Sequence, residues 1–185
     1  MKTLIVPILL SLSLATVSPA QTCREVVRDS SGRIVQTIDR QKSAGGSVQA
    51  TTRDASGRII GTSTTSNPNS GSSSQTTYRD ASGRLTGSAS TQPTTGGSSR
   101  TTYRDASGRI EGSADTRTGS GSGSNTQFRD ASGRLTGTET TSGSSSGSFS
   151  GTQRDASGRL IGSSTGSGKC QNLVKTLVPP PGAKR

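Results

Sequence analysis

Arginine and aspartate side chains, in a phrase that recurs six times, have the clearest chemical potential in this chain. The phrase reads Arg-Asp-Ala-Ser-Gly-Arg in five copies and Arg-Asp-Ser-Ser-Gly-Arg in the first. A guanidinium group is permanently charged, and its planar donors match carboxylates and phosphates. We predict anion binding by the recurring arginines, although the same pattern is also typical of solvated strand ends. The candidate anion-binding residues are Arg28, Arg33, Arg53, Arg58, Arg79, Arg84, Arg104, Arg109, Arg129, Arg134, Arg154 and Arg159.

Catalytic residues are scarce. The chain contains no histidine, which removes the most common general base and metal ligand. The sequence has neither a glycine-rich nucleotide loop with lysine nor the glycine-aspartate nonapeptide of calcium-binding solenoids. We therefore predict a protein that is not an enzyme, with no catalytic residues, no cofactor and no metal site.

The recurring phrase predicts a turn. In the third copy, Asp80–Gly83 has aspartate and glycine at the positions that a type I turn with a following bulge prefers. A three-residue loop would place Asp80 opposite Arg84 as a charge pair, and Tyr78 opposite Thr86. The predicted turn residues are Asp29, Gly32, Asp54, Gly57, Asp80, Gly83, Asp105, Gly108, Asp130, Gly133, Asp155 and Gly158.

The elements around each turn read as β-strands. The aspartates recur at intervals of 25 or 26 residues, the flanks are rich in threonine, and Gly/Ser/Thr-rich connections such as 65–75 and 141–148 separate the copies. An aliphatic column five residues after each aspartate is a candidate apolar stripe between neighbouring units. It consists of Ile34, Ile59, Leu85, Ile110, Leu135 and Leu160. Glycines seven residues after the aspartate predict a bulge or a close backbone approach. They are Gly61, Gly87, Gly112, Gly137 and Gly162.

The composition determines the kind of fold. Hydrophobic residues make up only 24% of the chain and aromatic residues 2%, which excludes a conventional globular core. Repeats bury a narrow stripe between neighbours instead. We predict an all-β fold of six tandem β-hairpin repeats of 25 residues. They would form a twisted antiparallel sheet or a small closed ring, with flexible Gly/Ser/Thr-rich connections.

The motif D-x-x-G-R-[L/I], which reads Asp80-Ala81-Ser82-Gly83-Arg84-Leu85 in the third copy, resembles the YD repeats of RHS and teneurin-type secreted proteins. In that family the repeats build a spiralling sheet of β-hairpins. The resemblance covers about eight residues of each unit and implies hairpins here as well. The family's tyrosine before the aspartate is replaced by arginine in all six copies.

The start of the chain predicts export. Lys2 precedes the apolar run Leu4–Val17, and small residues then lead to a cleavage site after Ala20. The run is short for a membrane span. We therefore expect residues 1–20 to be a signal peptide, 21–168 a six-repeat β-hairpin domain, and 169–185 a Cys-containing, basic, Pro-rich C-terminal tail. The mature protein would be secreted or periplasmic, with no transmembrane segment after cleavage.

Two cysteines flank the repeats. Cys23 precedes the first turn and Cys170 follows the last. In an exported protein an even pair predicts a disulfide, which would stabilise so thin a core by several kcal/mol on the chain-entropy model. An intermolecular disulfide or two free thiols are the alternatives.

The charge indicates the class of partner. The net charge is +11, and +10 without residues 1–20, where Lys2 is the charged residue. Outside the cytoplasm such a protein meets anionic polysaccharide, lipopolysaccharide and extracellular DNA. We predict a cell-surface or extracellular binding or structural module for anionic polymers. The alternative is a self-assembling, functional-amyloid-like cross-β fibre subunit, because imperfect repeats rich in Ser, Thr, Gly and Gln stack well.

Overall fold

A computed structural model describes residues 21–66, 72–119, 122–144, 147–168 and 170. The predicted signal peptide 1–20 and the predicted tail 169–185, except Cys170, lie outside the described residues. Within the described ranges no helix is long and apolar enough to cross a membrane.

Twelve β-strands and one short 3-10 helix, Thr95–Gly97, make up the described structure. The strands are β1 (Thr22–Asp29), β2 (Ile34–Lys42), β3 (Val48–Asp54), β4 (Ile59–Ser66), β5 (Ser74–Asp80), β6 (Leu85–Pro93), β7 (Ser99–Asp105), β8 (Ile110–Thr118), β9 (Ser124–Asp130), β10 (Leu135–Gly143), β11 (Phe149–Asp155) and β12 (Leu160–Gly168).

The sheet is antiparallel and closed. Every strand pairs with its neighbours in the chain, and β1 pairs with β12 over seven residue pairs from Cys23–Gly168 to Asp29–Gly162. The all-β, antiparallel prediction is confirmed, and the twelve strands form a closed barrel. Closure leaves no unpaired strand edge among them.

Alternation along each strand determines which side chains enter the barrel. The inner face carries mainly small residues, and aromatic rings fill the space that they leave. Tyr103 and Phe128 pack with Ala89 and Ala114, and Tyr78 packs against this cluster. Tyr103 is completely buried, and burial raises the pKa of Tyr78 to about 12. The core is therefore a thin layer of side chains inside the barrel. A chain with only 24% hydrophobic residues has enough of them to form such a layer.

The disulfide predicted between Cys23 and Cys170 is confirmed, with Cα atoms 4.8 Å apart. Cys23 lies at the start of β1, and Cys170 follows β12, so the disulfide links the two strands that close the barrel. The cysteines pack with Val48 and Phe149 in a second apolar cluster. The bond thus fastens the closing strand pair at the barrel end that holds the beginning of β1.

A bulge next to each turn changes the predicted register. Arg79 pairs with Leu85, but Tyr78 pairs with Gly87, so the prediction that Tyr78 faces Thr86 is wrong. Thr86 is the extra residue of a β-bulge. The predicted close approach at the following glycine is present, since a Cβ atom on Gly87 would lie 2.5 Å from the carbonyl oxygen of Arg104.

Candidate functional site: the turn rim

All six copies of the recurring phrase lie at one end of the barrel. Each follows an odd-numbered strand, whereas the longer connections follow even-numbered strands and lie at the other end. We call this end the turn rim, made of residues 28–33, 53–58, 79–84, 104–109, 129–134 and 154–159. Neighbouring strands are about 4.8 Å apart, so successive turns follow one another at roughly 10 Å along the rim.

The turn aspartates hold the backbone. In the third copy, Oδ1 of Asp80 accepts hydrogen bonds from Ser82 N at 2.9 Å, Ser82 Oγ at 2.6 Å and Arg84 N at 2.9 Å. The serine hydroxyl bond, followed by the backbone bonds, lowers the pKa of the aspartate in five copies. These are Asp29, Asp54, Asp80, Asp130 and Asp155. A carboxylate engaged in this way shapes the turn and is not available as an acid or base near neutral pH.

The turn glycines supply the backbone conformation that the loop needs. All six have φ between 83° and 85°, a region that side chains disfavour. Each glycine N–H also donates to the carbonyl of the turn aspartate at 3.0–3.1 Å. Aspartate and glycine together give every turn the same shape. The two arginines of each phrase are therefore placed in the same way at every turn of the rim.

The first arginine of each phrase is held in place by its own turn. Its Nη1 donates to the carbonyl oxygen of the turn glycine at 2.8–3.1 Å in all six copies. Such a bond uses one of the five guanidinium donors, and in Arg129 a second donor, Nη2, bonds Gln127 Oε1 at 3.4 Å. Further donors are left for a ligand. The residues are Arg28, Arg53, Arg79, Arg104, Arg129 and Arg154.

The second arginine of each phrase is exposed. Asp80 does lie opposite Arg84 across the loop, with Asp80 N donating to Arg84 O. The charge of Arg84 is among the causes that lower the pKa of Asp80, so the predicted opposition of charges is present. It is not a salt bridge, because the salt bridges found among the described residues involve Arg24, Arg40 and Arg100 and none of the turn arginines. Each turn therefore has two arginines against one aspartate that is engaged by the backbone, and the rim has a surplus of positive charge.

The predicted apolar stripe lies on the outside of the barrel at the turn rim, so the prediction that it is buried between neighbouring units is wrong. Each member of the stripe follows a turn and lies on the same face of the sheet as the first arginine of the phrase. In the third copy this is shown by the direct pairing of Leu85 with Arg79. Ile34, Ile59, Leu85, Ile110, Leu135 and Leu160 are 38–49% exposed. Burying this face would have placed the arginines in the barrel interior without partners, which is costly. We call these six residues, with Ile60 and Ile161 at two of the bulges, the aliphatic ring.

A buried polar cluster, not predicted from the sequence, lies inside the barrel. Arg40 Nη1 donates to Glu25 Oε2 at 2.6 Å, and both residues are buried together with Glu139 and Ser164. Burial is the largest cause of the raised pKa of both glutamates, and it brings the pKa of Glu139 to about 7. The alternation of a strand could have indicated it. Glu25 is two residues after Cys23, so the two side chains lie on the same face of the strand, and Cys23 faces the interior.

The predicted site residues thus divide between the two ends of the barrel. The turn rim brings together all twelve candidate arginines and all twelve turn residues, while the cysteines lie at the opposite end. In the part of the chain that the structure describes, no group of three or more His, Cys, Asp or Glu residues is arranged to hold a metal ion.

Comparison with known proteins adds no assignment. No protein-family model matches the chain, and no curated protein matches its sequence.

Proposed function

We propose that this chain is an exported, non-enzymatic binding or structural module for anionic polymers, and that the turn rim is its binding surface. The partner would be an anionic polysaccharide, lipopolysaccharide or extracellular DNA outside the cytoplasm. In this proposal each of six hairpin repeats of the YD-like kind contributes one identical binding unit.

The observation that carries the proposal is the regular ring of guanidinium groups. Six are oriented by the turn glycine carbonyls, and six more are exposed and lack a salt bridge within the described residues. Orienting a side chain before binding reduces the entropy cost of binding. A spacing of roughly 10 Å between turns lets a flexible polyanion contact several units at once.

The fibre alternative is not favoured by any contact in the barrel. Assembly of cross-β layers begins at unpaired strand edges, and the pairing of β1 with β12 leaves none among the described strands. The positive turn rim also repels a second copy. We expect the oxidised protein to remain monomeric, with no thioflavin fluorescence.

The proposal is tested by removing the same amount of charge from two places. The rim variant replaces three exposed second arginines with glutamine: Arg84→Gln, Arg109→Gln and Arg134→Gln. The matched control removes three exposed arginines of the strands outside the turn rim: Arg24→Gln, Arg100→Gln and Arg117→Gln. Both sets lower the net charge by three, but Arg24 and Arg100 are paired with Asp39 and Asp115. A difference between the two variants therefore reports the position and local pairing of the charges and not the total charge.

Binding to heparin and to a DNA oligonucleotide is measured across a salt series. Counterion release predicts a slope of log K against log salt of about −0.9 per phosphate contact, so the rim variant should flatten it by up to about 3. The control should keep most of the slope. Equal losses in both variants, or no binding by the unmodified protein at low salt, would contradict the proposal. Circular dichroism checks that each variant keeps its strands.

A further inference from the structure

We propose that the turn rim docks on a lipid surface with anionic headgroups, with its arginines on the phosphates and the aliphatic ring among the headgroups. This inference rests on the proposed function, because it uses the same arginines. It goes further by giving the aliphatic ring a role, which selects an amphiphilic partner with anionic headgroups over a hydrophilic polyanion such as heparin or DNA.

The first observation is where the exposed apolar side chains lie. The eight large hydrophobic residues that are exposed in the described part of the chain are the eight members of the aliphatic ring, 38–49% accessible. Single exposed aliphatic side chains scattered over a surface are ordinary. A set confined to one end of a barrel, in a chain with so few hydrophobic residues, indicates a surface that contacts something apolar.

The second observation is the charge beside these residues. Arg28 pairs with Ile34, and Arg79 pairs with Leu85 in the same way. The strands therefore place a guanidinium group next to an aliphatic side chain at turn after turn. A surface that places cationic side chains next to aliphatic ones is suited to bind a membrane with anionic lipids. The charges bind the headgroups, and the apolar groups enter the boundary of the acyl chains.

The space between turns fits the same partner. A shallow groove of about 410 Å³ lies between the second and third turns, lined by Asp54, Arg58, Ile59 and Ile60 on one side and by Asp80, Ala81 and Ser82 on the other. Both aspartates accept hydrogen bonds from the backbone of their own turns. The groove offers an apolar wall and a guanidinium group to one headgroup. A hydrophilic polyanion would engage the arginine and leave both isoleucines in water.

Charge complementarity favours a lipid surface over a second copy of the chain. Two turn rims facing each other would bring together two positive surfaces, which repel. An anionic lipid surface attracts the rim and also covers its aliphatic ring. All six turns end at the same end of the barrel, so one extended surface can contact several of them together.

The experiment compares three neighbouring aliphatic positions in the full oxidised protein. The polar variant is Ile59→Thr, Leu85→Thr and Ile110→Thr, which keeps strand-favouring side chains. The matched apolar variant places methionine at the same positions. A control for general effects on the outer wall carries Thr62→Ser and Thr64→Ser on exposed positions of β4.

Binding is measured by flotation with vesicles of phosphatidylcholine alone and of phosphatidylcholine mixed with phosphatidylglycerol, and with heparin as the hydrophilic polyanion. We expect the polar variant to lose at least about tenfold in binding to the anionic vesicles. Its heparin binding should stay within about twofold, since its arginines are intact. The methionine and β4 variants should bind as the unmodified protein does. In the unmodified protein, added salt should weaken vesicle binding less steeply than heparin binding.

Several results would overturn the inference. Equal vesicle binding by the polar and methionine variants, or heparin binding without any vesicle binding, would remove the lipid surface and leave the proposed function standing. Self-association that the polar variant abolishes would assign the aliphatic ring to a second copy instead. A protein that binds neither heparin nor anionic vesicles would remove both proposals. The salt comparison uses the unmodified protein and so does not depend on the folding of any variant.

Discussion

Glu139 makes the stability of this barrel depend on pH, and replacing it with glutamine should remove most of that dependence. The carboxyl group is buried on the inner face of β10, with Thr126 and Gln153 opposite it on the neighbouring strands. Its pKa is raised from 4.5 to about 7, and burial is the largest cause. The hydrogen bond to Gln153 and the charge of Arg40 oppose the shift, while the charge of Glu25 adds to it.

The sign follows from which state holds the proton. Between pH 4.5 and about 7 the folded protein keeps a proton on Glu139 that the unfolded chain has released. The free energy of unfolding therefore falls as the pH rises through this window. Below and above the window, Glu139 contributes no pH dependence. A shift of two to three pKa units corresponds to about 3 kcal/mol in total.

Glu139→Gln cannot titrate, so its stability should exceed that of the unmodified protein above pH 7 by up to about 3 kcal/mol. Near pH 4 the two proteins should be equally stable. The buried Glu25, whose pKa is also raised by burial, leaves a residual slope in the variant.

Urea unfolding followed by circular dichroism at a series of pH values measures these curves. The matched control is Glu111→Gln, at the bulge beside the fourth turn, which should change stability by no more than about 0.5 kcal/mol at any pH. Parallel curves for the Glu139 variant and the unmodified protein between pH 4.5 and 7 would refute the reasoning, as would stability that rises with pH there.

Two further changes test the fold. Replacing Cys23 and Cys170 with serine should lower the free energy of unfolding by about 5 kcal/mol, as expected for a crosslink over 147 residues. Urea titration measures this, and an unchanged midpoint would contradict it. Gly83→Val places a side chain at φ 84° and should cost more than about 1 kcal/mol, whereas Ser82→Ala, which removes one exposed hydrogen bond, should cost about 0.5 kcal/mol or less. Equal melting temperatures for these two variants would contradict the turn assignment.

The sequence determined the features that depend on a few adjacent residues. Asp80 and Gly83 specify the turn through a side-chain acceptor and a positive φ, and both act within five residues. The close approach at Gly87 was visible as a recurring glycine. An intramolecular disulfide could join only Cys23 and Cys170, because these are the two cysteines of the sequence.

The tertiary structure alone decided which face of the sheet is inside and that the sheet closes. The bulge at Thr86 shifts the pairing of Tyr78 by one residue, and a local pattern does not specify such an insertion. Leu85 shares the outer face with Arg79, whose charge is too costly to bury without a carboxylate partner such as Arg40 has in Glu25. The face with the aromatic and small residues therefore lines the barrel. Glu25 and Arg40 become partners because β1 and β2 present them to the same interior. Closure itself depends on pairing β1 with β12 across the whole chain, a contact between distant segments that no short stretch of sequence encodes.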